Sequence, residues 1–374
     1  MLLLLSFKKL NIKALLVNFY SLLSVMTLLA TFACSSPCRA VPEADYIGEF
    51  HQTLLPFLNS GHQFTFPSAD GRYTLQGVRF THPNTKDEKG LIVVINGFSQ
   101  SWQQYAELFY DLYRQGYSVI SYDHRGQGLS PHLVPFNSQI GYIGHFTDYS
   151  EDLNAFMEKI VKPLHPSSKN LFLIASSMGG AITAEYLEQH SSPSPFQAVV
   201  LSAPMLAINT DPYPAWLAHL IVGIAQAAGL GRHYAIGKHD FDPKDSFSDN
   251  KITHSLPRWQ ADREFKILHP KAVISGPSNG WVNTSLGETP KIRAKASSIQ
   301  TNVLLLEAGE DQLVINQALT TASLTIPHCR LVSFPKSRHG ILMESDPIHD
   351  QAMREIECFF SGVKTHKNEG DKRN

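Results

Sequence analysis

The stretch LFLIASSMGGAI (171–182) places two adjacent serines where an apolar run ends and glycines begin. A strand that runs directly into a helix through Ser-x-Gly-Gly is typical of the tight turn that presents a serine nucleophile. That turn needs small residues two positions before and two after the nucleophile, because the two backbones nearly touch there. Ser177 has alanine and glycine at these positions, whereas Ser176 has isoleucine and methionine. Ser177 is therefore the predicted nucleophile, for attack on a carbonyl carbon; the alternative is a serine that only caps the helix.

A serine nucleophile requires a histidine base and an acid that orients it, and after this type of turn the chain order is serine, acid, histidine. Asp311 follows one predicted strand and His339 follows the next, so we expect both at the carboxyl edge of a parallel sheet, near the serine. Glu307 lies within its strand and Glu310 shares the loop of Asp311, which is the preferred acid. Taken singly, Asp311 is also a candidate helix cap and His339 a candidate surface residue. Their order after Ser177 indicates a catalytic triad.

The oxyanion that forms during acyl transfer needs two backbone N–H donors, one of them from the residue after the nucleophile. That residue is Met178. The second donor is expected in the loop after the apolar run 91–95, where Gly97 permits the turn that directs the Phe98 amide into the site. The alternative is that this Asn-Gly-Phe sequence forms only a turn.

The elements that must position these residues alternate along the chain between apolar runs of strand length and amphipathic segments of helix length. Such alternation predicts a doubly wound, mostly parallel α/β sheet with helices on both faces. It stops between residues 205 and 298, which indicates one large insertion. We predict strands at 72–80, 91–95, 117–123, 171–175, 197–204, 302–309 and 329–334, and helices near 105–113, 148–160, 178–190, 314–325 and 347–361.

The N-terminus has the layout of a secretory signal, with Lys8, Lys9 and Lys13 before an uncharged stretch at 14–33. Cleavage, retention as a membrane anchor and lipidation at Cys34 are alternatives. Each of them predicts an exported protein that is periplasmic, membrane-anchored or secreted. The predicted segments are an export signal or anchor (1–33), a first core part (48–204), an inserted helical cap (205–298), a second core part (299–362) and a disordered polar tail (363–374).

The overall composition is that of an ordinary globular enzyme. The chain has 32 basic and 33 acidic residues and no basic stripe, so nucleic acid is not a predicted partner. The spacing of cysteines and histidines does not suggest a metal site, and we predict neither a metal nor an organic cofactor. The spacing of Cys329 and Cys358 leaves open whether they pair after export.

Together these residues resemble the α/β-hydrolase superfamily, and within it the bacterial lysophospholipase and monoacylglycerol-lipase-like branch. The resemblance implies an α/β-hydrolase fold with an inserted helical cap. It spans roughly residues 48–361 and is also carried by YDHRGQGLS (122–130), FTDYSEDL (146–153), NKITHS (250–255), GPSNGW (276–281), LLLEAGEDQLV (304–314) and RHGILMESD (338–346).

The resemblance also implies roles for individual residues. Ser177, Asp311 and His339 would be nucleophile, acid and base, and Phe98 and Met178 would supply the oxyanion amides. The sequence departs from the branch in showing ASSMGG where GHSMGG is usual and NGF where HG is usual. These departures concern substrate preference and rate, because they remove no member of the triad.

The activity that the resemblance implies is hydrolysis of the acyl ester of lysophospholipids through an acyl-enzyme, with a lysophospholipid or monoacylglycerol as substrate. A monoacylglycerol lipase and a general carboxylesterase are alternatives with the same layout. A proline-type aminopeptidase is another, since the insertion has aspartates that could hold a free amine. From a different class, the chain could be a non-catalytic lipid-binding protein, although an intact triad argues against this.

One segment of the insertion, AWLAHLIVGIAQAAGL (215–230), is apolar almost all round but short for a membrane span. We interpret it as a cap helix that lines an acyl-chain pocket above Ser177 and helps the protein to contact a membrane. Charged substitutions at Leu220 or Ile224 are then expected to abolish the turnover of long-chain substrates. The alternative is that the segment forms only the core of the cap.

Overall fold

A mostly parallel sheet forms the centre of this computed structural model, which describes residues 41–84, 87–190 and 192–363. All of these residues belong to one compact unit, Cys38–Asn374. The described strands are β1 (His62–Pro67), β2 (Thr74–Phe80), β3 (Gly90–Ile95), β4 (Tyr117–Tyr122), β5 (Ile140–Gly141), β6 (Leu171–Ser176), β7 (Ala198–Ser202), β8 (Gly276–Pro277), β9 (Asn302–Ala308) and β10 (Cys329–Phe334).

The order of strands in the main sheet is β1-β2-β4-β3-β6-β7-β9-β10. The pairs β1/β2 and β2/β4 are antiparallel, and all other neighbours in this sheet are parallel. Every residue of β3 and β4 is buried, as expected for strands covered on both faces. The predicted doubly wound α/β sheet is therefore confirmed. Sequence analysis missed β1, an edge strand that is mostly exposed and so lacks a continuous apolar run.

Helices cover both faces of the sheet. In the amphipathic helix α3 (Ala106–Arg114), for example, Leu108, Phe109 and Leu112 are buried, as their spacing predicts. The described α-helices are α1 (Tyr46–Glu49), α2 (Leu55–Asn59), α3 (Ala106–Arg114), α4 (Thr147–Phe156), α5 (Lys162–Leu164), α6 (Met178–Gln189), α7 (Ala215–Ala225), α8 (Leu256–Leu268), α9 (Asn279–Lys295), α10 (Asn316–Thr325) and α11 (Asp346–Gly362). Shorter π- and 3₁₀-helical turns lie at Phe50–Leu54, Trp102–Tyr105, Met157–Val161, Gln226–Leu230, Phe247–Asp249, Pro270–Ala272, Ala296–Ser298 and Ile341–Met343.

The chain between β7 and β9 is largely helical. We call residues 205–298 the cap; they contain α7, α8 and α9, and α9 packs against both α7 and the core helix α6. The short strand β8 pairs with β5, with Gly276 opposite Ile140. The cap is thus joined through a backbone ladder to the loop that follows β4.

Arg258 on α8 fastens the cap to the core through a buried ion-pair network. This residue is 2% exposed, and its side chain donates to both carboxylate oxygens of Glu107 on α3, each at 2.8 Å. A third nitrogen-to-oxygen contact, of 3.0 Å, reaches Asp346 at the start of α11. The guanidinium also donates to the carbonyl of Val41 at 3.2 Å and lies over the ring of Tyr46. One cap residue therefore contacts three separate parts of the core.

No helix among the described residues is both long and apolar enough to cross a membrane. The predicted export segment, 1–33, lies outside the described residues. So does the predicted tail, 363–374, apart from Val363. Cys329 carries a free thiol, so it is not joined to Cys358.

Replacing Arg258 with alanine would leave the buried Glu107 carboxylate without its cation. We expect the free energy of unfolding to fall by about 3–5 kcal/mol, as for other broken buried ion pairs. Urea unfolding followed by circular dichroism measures this change. The control is Lys162→Ala, which removes an exposed pair with Glu158 and should change stability by no more than about 0.5 kcal/mol. Equal effects of the two substitutions would contradict the assigned role of Arg258.

Candidate active site

Ser177 occupies a strained turn between β6 and α6. Its φ of 52° and ψ of −117° lie outside the regions that non-glycine residues ordinarily adopt. Two residues later α6 passes so close to β3 that a Cβ on Gly179 would lie 2.5 Å from the Ile95 carbonyl oxygen. Position 179 therefore requires a small residue, because a side chain there would collide with the backbone of β3.

The structure brings the three predicted side chains together. The Nε2 atom of His339 lies 2.8 Å from Ser177 Oγ, and its Nδ1 atom lies 2.7 Å from Asp311 Oδ2. The second carboxylate oxygen of Asp311 accepts from the backbone amides of Leu313 and Val314 at 2.7 and 3.0 Å. The Asp311 side chain is fully buried and that of His339 is nearly so. An acid held in this way keeps the proton on Nδ1, so Nε2 can accept one from the serine.

These side chains meet because each follows the carboxyl end of a strand. Ser177 follows β6, Asp311 lies beyond β9 and His339 beyond β10. Strand order reverses between β3 and β6, and such a switch point opens a crevice at the carboxyl edge of a parallel sheet.

The two predicted oxyanion donors flank this crevice. Met178 is the first residue of α6, and Phe98 lies in the loop after β3. Neither backbone amide donates to another described residue, so both can serve a ligand oxygen. The ring of Phe98 packs against Trp281 of the cap, with centroids 4.2 Å apart.

Asp123, which sequence analysis did not single out, holds the loop that carries Phe98. Burial raises the pKa of this carboxyl to about 7, and its hydrogen bonds act in the opposite direction. Nearby, Gln127 donates to the carbonyls of Gly97 and Gln100 at 2.8 and 2.9 Å. Both Asp123 and Gln127 lie in the stretch YDHRGQGLS (122–130). This stretch begins at the carboxyl end of β4, and that position could have indicated that its residues lie near the site. The donors to Asp123 are Asn96 Nδ2, Ser101 Oγ and the amides of Trp102 and Leu129.

A cavity of about 600 Å³ lies between the core and the cap, and Ser177 and His339 line it. Most of its wall is apolar. Charged side chains also reach it; Lys266 and Asp262 form an ion pair at 2.7 Å. The apolar lining includes Ile208, Ile221, Val222, Trp281, Val282 and Leu342, and the charged lining includes Asp211, Lys238, Asp262 and Lys266.

Helix α7 lines this cavity with one face only. Ile221 and Val222 face the cavity. Leu220 and Ile224 lie instead on the outer face, where they are 53% and 62% exposed, next to Trp216. The expectation that Leu220 and Ile224 line an acyl-chain pocket is therefore wrong, because the helix turns them away from the site.

Comparison with known proteins identifies the family. A family model described as serine aminopeptidase, S33, matches residues 86–346, which is more than half of the chain. The chain belongs to this family.

Two known proteins are similar to this chain over most of their own length. Lysophospholipase L2 of Escherichia coli K12 is 33% identical over 292 residues, covering 76% of this chain and 84% of the relative. The probable lysophospholipase L2 of Haemophilus influenzae is 26% identical over 326 residues, covering 83% and 97%.

Solved structures share the fold of this S33 family member. A soluble variant of the monoglyceride lipase from Saccharomyces cerevisiae has a TM-score of 0.62 at 18% identity, over 81% of this chain and 96% of that one. A carboxyl esterase from Bacillus coagulans has a TM-score of 0.65 at 17% identity, over 81% and 98%. The protein is an ester hydrolase with the α/β-hydrolase fold.

One group of described residues has the composition of a metal site: Glu107, Asp111 and His349, all buried. Its carboxylates are already bound, Glu107 by Arg258 and Asp111 by His349 Nε2 at 3.0 Å. Arg258 also brings a fixed positive charge, which disfavours a cation there. The group is an ion-pair network that joins α3, α8 and α11.

The close approach at Gly179 yields a test of the turn. Gly179→Ala should lower the free energy of unfolding of this S33 family member by about 1–3 kcal/mol, because the new methyl group meets backbone carbonyls that cannot move away. Gly223→Ala in α7 is the control, since its nearest described neighbour would be 3.6 Å away. It should raise stability by about 0.5–1 kcal/mol through helix propensity. Urea unfolding of both variants measures this; a Gly179 variant as stable as the Gly223 variant would show that the turn has room.

Proposed function

We propose that this protein is a serine hydrolase that cleaves the single acyl ester of lysophospholipids. The observation that carries the proposal is the hydrogen-bonded triad of Ser177, His339 and Asp311. Ser177 and His339 line a mostly apolar cavity under the cap. The similarity to lysophospholipase L2 of E. coli supports this choice of substrate.

In the proposed mechanism, Ser177 Oγ attacks the ester carbonyl while His339 Nε2 accepts its proton. Asp311 stabilises the imidazolium, and the amides of Phe98 and Met178 donate to the oxyanion. The intermediate collapses when His339 returns the proton to the glycerol oxygen, which leaves with the head group. A water molecule, deprotonated by His339, then attacks the acyl-serine; His339 returns that proton to Ser177 Oγ as the bond to the acyl group breaks and the fatty acid is released.

The walls of the cavity favour a lipid substrate over a peptide. Ile221, Val222 and Trp281 present apolar surface that suits an acyl chain. An aminopeptidase instead needs a carboxylate to hold a free amine. Of the two carboxylates among the described residues of the lining, Asp262 is bound by Lys266 and by the side chain of Gln104, and Asp211 is exposed to solvent. Hydrolysis of monoacylglycerols is a second candidate activity, because the same apolar cavity and the same triad suit that ester.

We also propose that the protein is exported and contacts a membrane. The export segment at 1–33 supports the first part. The outer face of α7 supports the second, because Trp216, Leu220 and Ile224 are all more than half exposed and lie beside the cavity wall. An exposed apolar face of this kind is typical of a surface that meets lipid or another protein.

Ser177→Ala should slow the release of fatty acid from lysophosphatidylcholine by about 10⁴-fold or more, because it removes the nucleophile. Ser176→Ala, which changes the adjacent serine, should retain most of the activity. Titration of free fatty acid measures both variants against the parent protein. If the parent itself releases none, the lysophospholipid assignment is wrong and monoacylglycerols are the next substrate to test.

Ile221 and Ile224 are a matched pair of isoleucines on α7, because Ile221 lines the cavity whereas Ile224 is 62% exposed to solvent. Ile221→Glu should abolish the turnover of long-chain lysophosphatidylcholine, because it places a charge in the cavity lining that we expect to contact the acyl chain. Turnover of the short ester p-nitrophenyl butyrate should be unchanged. Ile224→Glu should weaken sedimentation with phospholipid vesicles and leave turnover of the soluble ester unchanged. The reverse pattern would assign the acyl chain to the outer face.

A further inference from the structure

Two of the stretches quoted from the sequence, NKITHS and RHGILMESD, lie against each other although about ninety residues separate them. We call residues 250–255 the clamp, which belongs to the cap, and residues 337–344 the base loop, which carries His339. The amide of Gly340 donates to the Ile252 carbonyl at 2.7 Å, and Thr253 Oγ1 donates to the Met343 carbonyl at 2.6 Å. The cap therefore contacts the backbone on the C-terminal side of the proposed base.

The clamp also fits the base loop closely. A Cβ on Gly340 would lie 2.7 Å from the Ile252 side chain and 2.9 Å from its carbonyl oxygen. The guanidinium of Arg338 donates to the Thr253 carbonyl at 3.1 Å. The residues on both sides of His339 are thus held by the same cap segment.

His254 of the clamp lies between two carboxylates that belong to the catalytic loops. Its Nδ1 atom is 2.9 Å from Glu344 Oε1, and its Nε2 atom is 3.1 Å from Glu310 Oε2. Glu344 is at the end of the base loop, and Glu310 directly precedes Asp311. His254 consequently bridges the loop of the base and the loop of the acid.

Glu344 is the fixed end of this bridge. Its side chain is fully buried, and its oxygens accept from the amides of Arg338 at 2.9 Å and Ser345 at 2.9 Å. It also accepts from the backbone amide of His254 at 3.1 Å. A buried carboxylate with this many donors has one favoured position, so a side chain bound to it is held as well. Glu310 is half exposed and offers a weaker contact.

We propose that His254 is a positioning residue that fixes the base loop, so that the cap completes the geometry of the proposed base as well as covering the substrate. The inference depends on the proposed roles of His339 and Asp311. Loss of the Glu344 contact lets the base loop move relative to Ser177, and a displacement of the order of 1 Å at a reacting group can cost about 100-fold in rate.

The two ring nitrogens of His254 can be tested separately. The side-chain amide nitrogen of asparagine reaches approximately the position of Nδ1, and that of glutamine reaches approximately the position of Nε2. His254→Asn therefore retains a donor to Glu344, whereas His254→Gln retains a donor to Glu310. His254→Ala removes both.

The experiment compares these three variants with the parent full-length protein. Hydrolysis of p-nitrophenyl butyrate gives kcat and KM, and the rate of labelling by a fluorophosphonate reports how well His339 activates Ser177. The control is His51→Ala, which removes a histidine–carboxylate contact of 3.3 Å between α8 of the cap and the N-terminal helices. His51 lies outside the base loop, and its replacement should change neither rate. Thermal unfolding of each variant shows that it is folded.

We expect His254→Ala and His254→Gln to lower both kcat and the labelling rate by about 10- to 100-fold with KM within about twofold, and His254→Asn to restore most of the loss. Unchanged rates in His254→Ala would overturn the proposal. So would a glutamine variant that is more active than the asparagine variant. A parent protein that is neither active nor labelled at Ser177 would overturn the proposed function and this inference together.

Discussion

The site depends on one strained residue. Ser177 holds a positive φ that costs a non-glycine residue on the order of 1–3 kcal/mol, and the surrounding structure has to maintain it. Its amide donates to the Ser202 carbonyl at the end of β7, and its carbonyl accepts from Met205, both at 2.9 Å. Because β6 lies between β3 and β7 in the sheet, these bonds can form only when the parallel strands are already in register. The proposed nucleophile is thus positioned by the central strands of the sheet.

The other groups of the site follow from the same geometry. Each is carried by a loop at the carboxyl edge, and each loop is held by buried polar contacts. Asp123 binds the loop that carries Phe98, and Asp311 is itself bound by two backbone amides. A buried polar group that lacks a hydrogen-bond partner raises the free energy of the folded protein, so these networks favour one arrangement of the loops. This explains how loops, rather than helices or strands, can present groups within hydrogen-bond distance of one another.

The cap contributes to this order as well as covering the cavity. Arg258 joins it to α3 and α11 at one point, and the clamp joins it to the base loop at another. The pairing of β8 with β5 and the packing of α9 on α6 add further contacts between the cap and the core. In the remaining part of the cap, α7 shows one apolar face to the cavity and another to solvent.

The sequence by itself determined the fold class, the positions of the main strands and the choice of Ser177, because buried parallel strands are continuous apolar runs and the tight turn tolerates only small neighbours. It also identified His339, which the structure places beside Ser177, and Asp311, which the structure places beside His339. The orientation of α7 was decided only by the tertiary structure, since a helix that is apolar all round carries no periodicity to show which face is buried. The partners of His254 were likewise decided by folding, because its contacts lie far away along the chain and no local pattern encodes them.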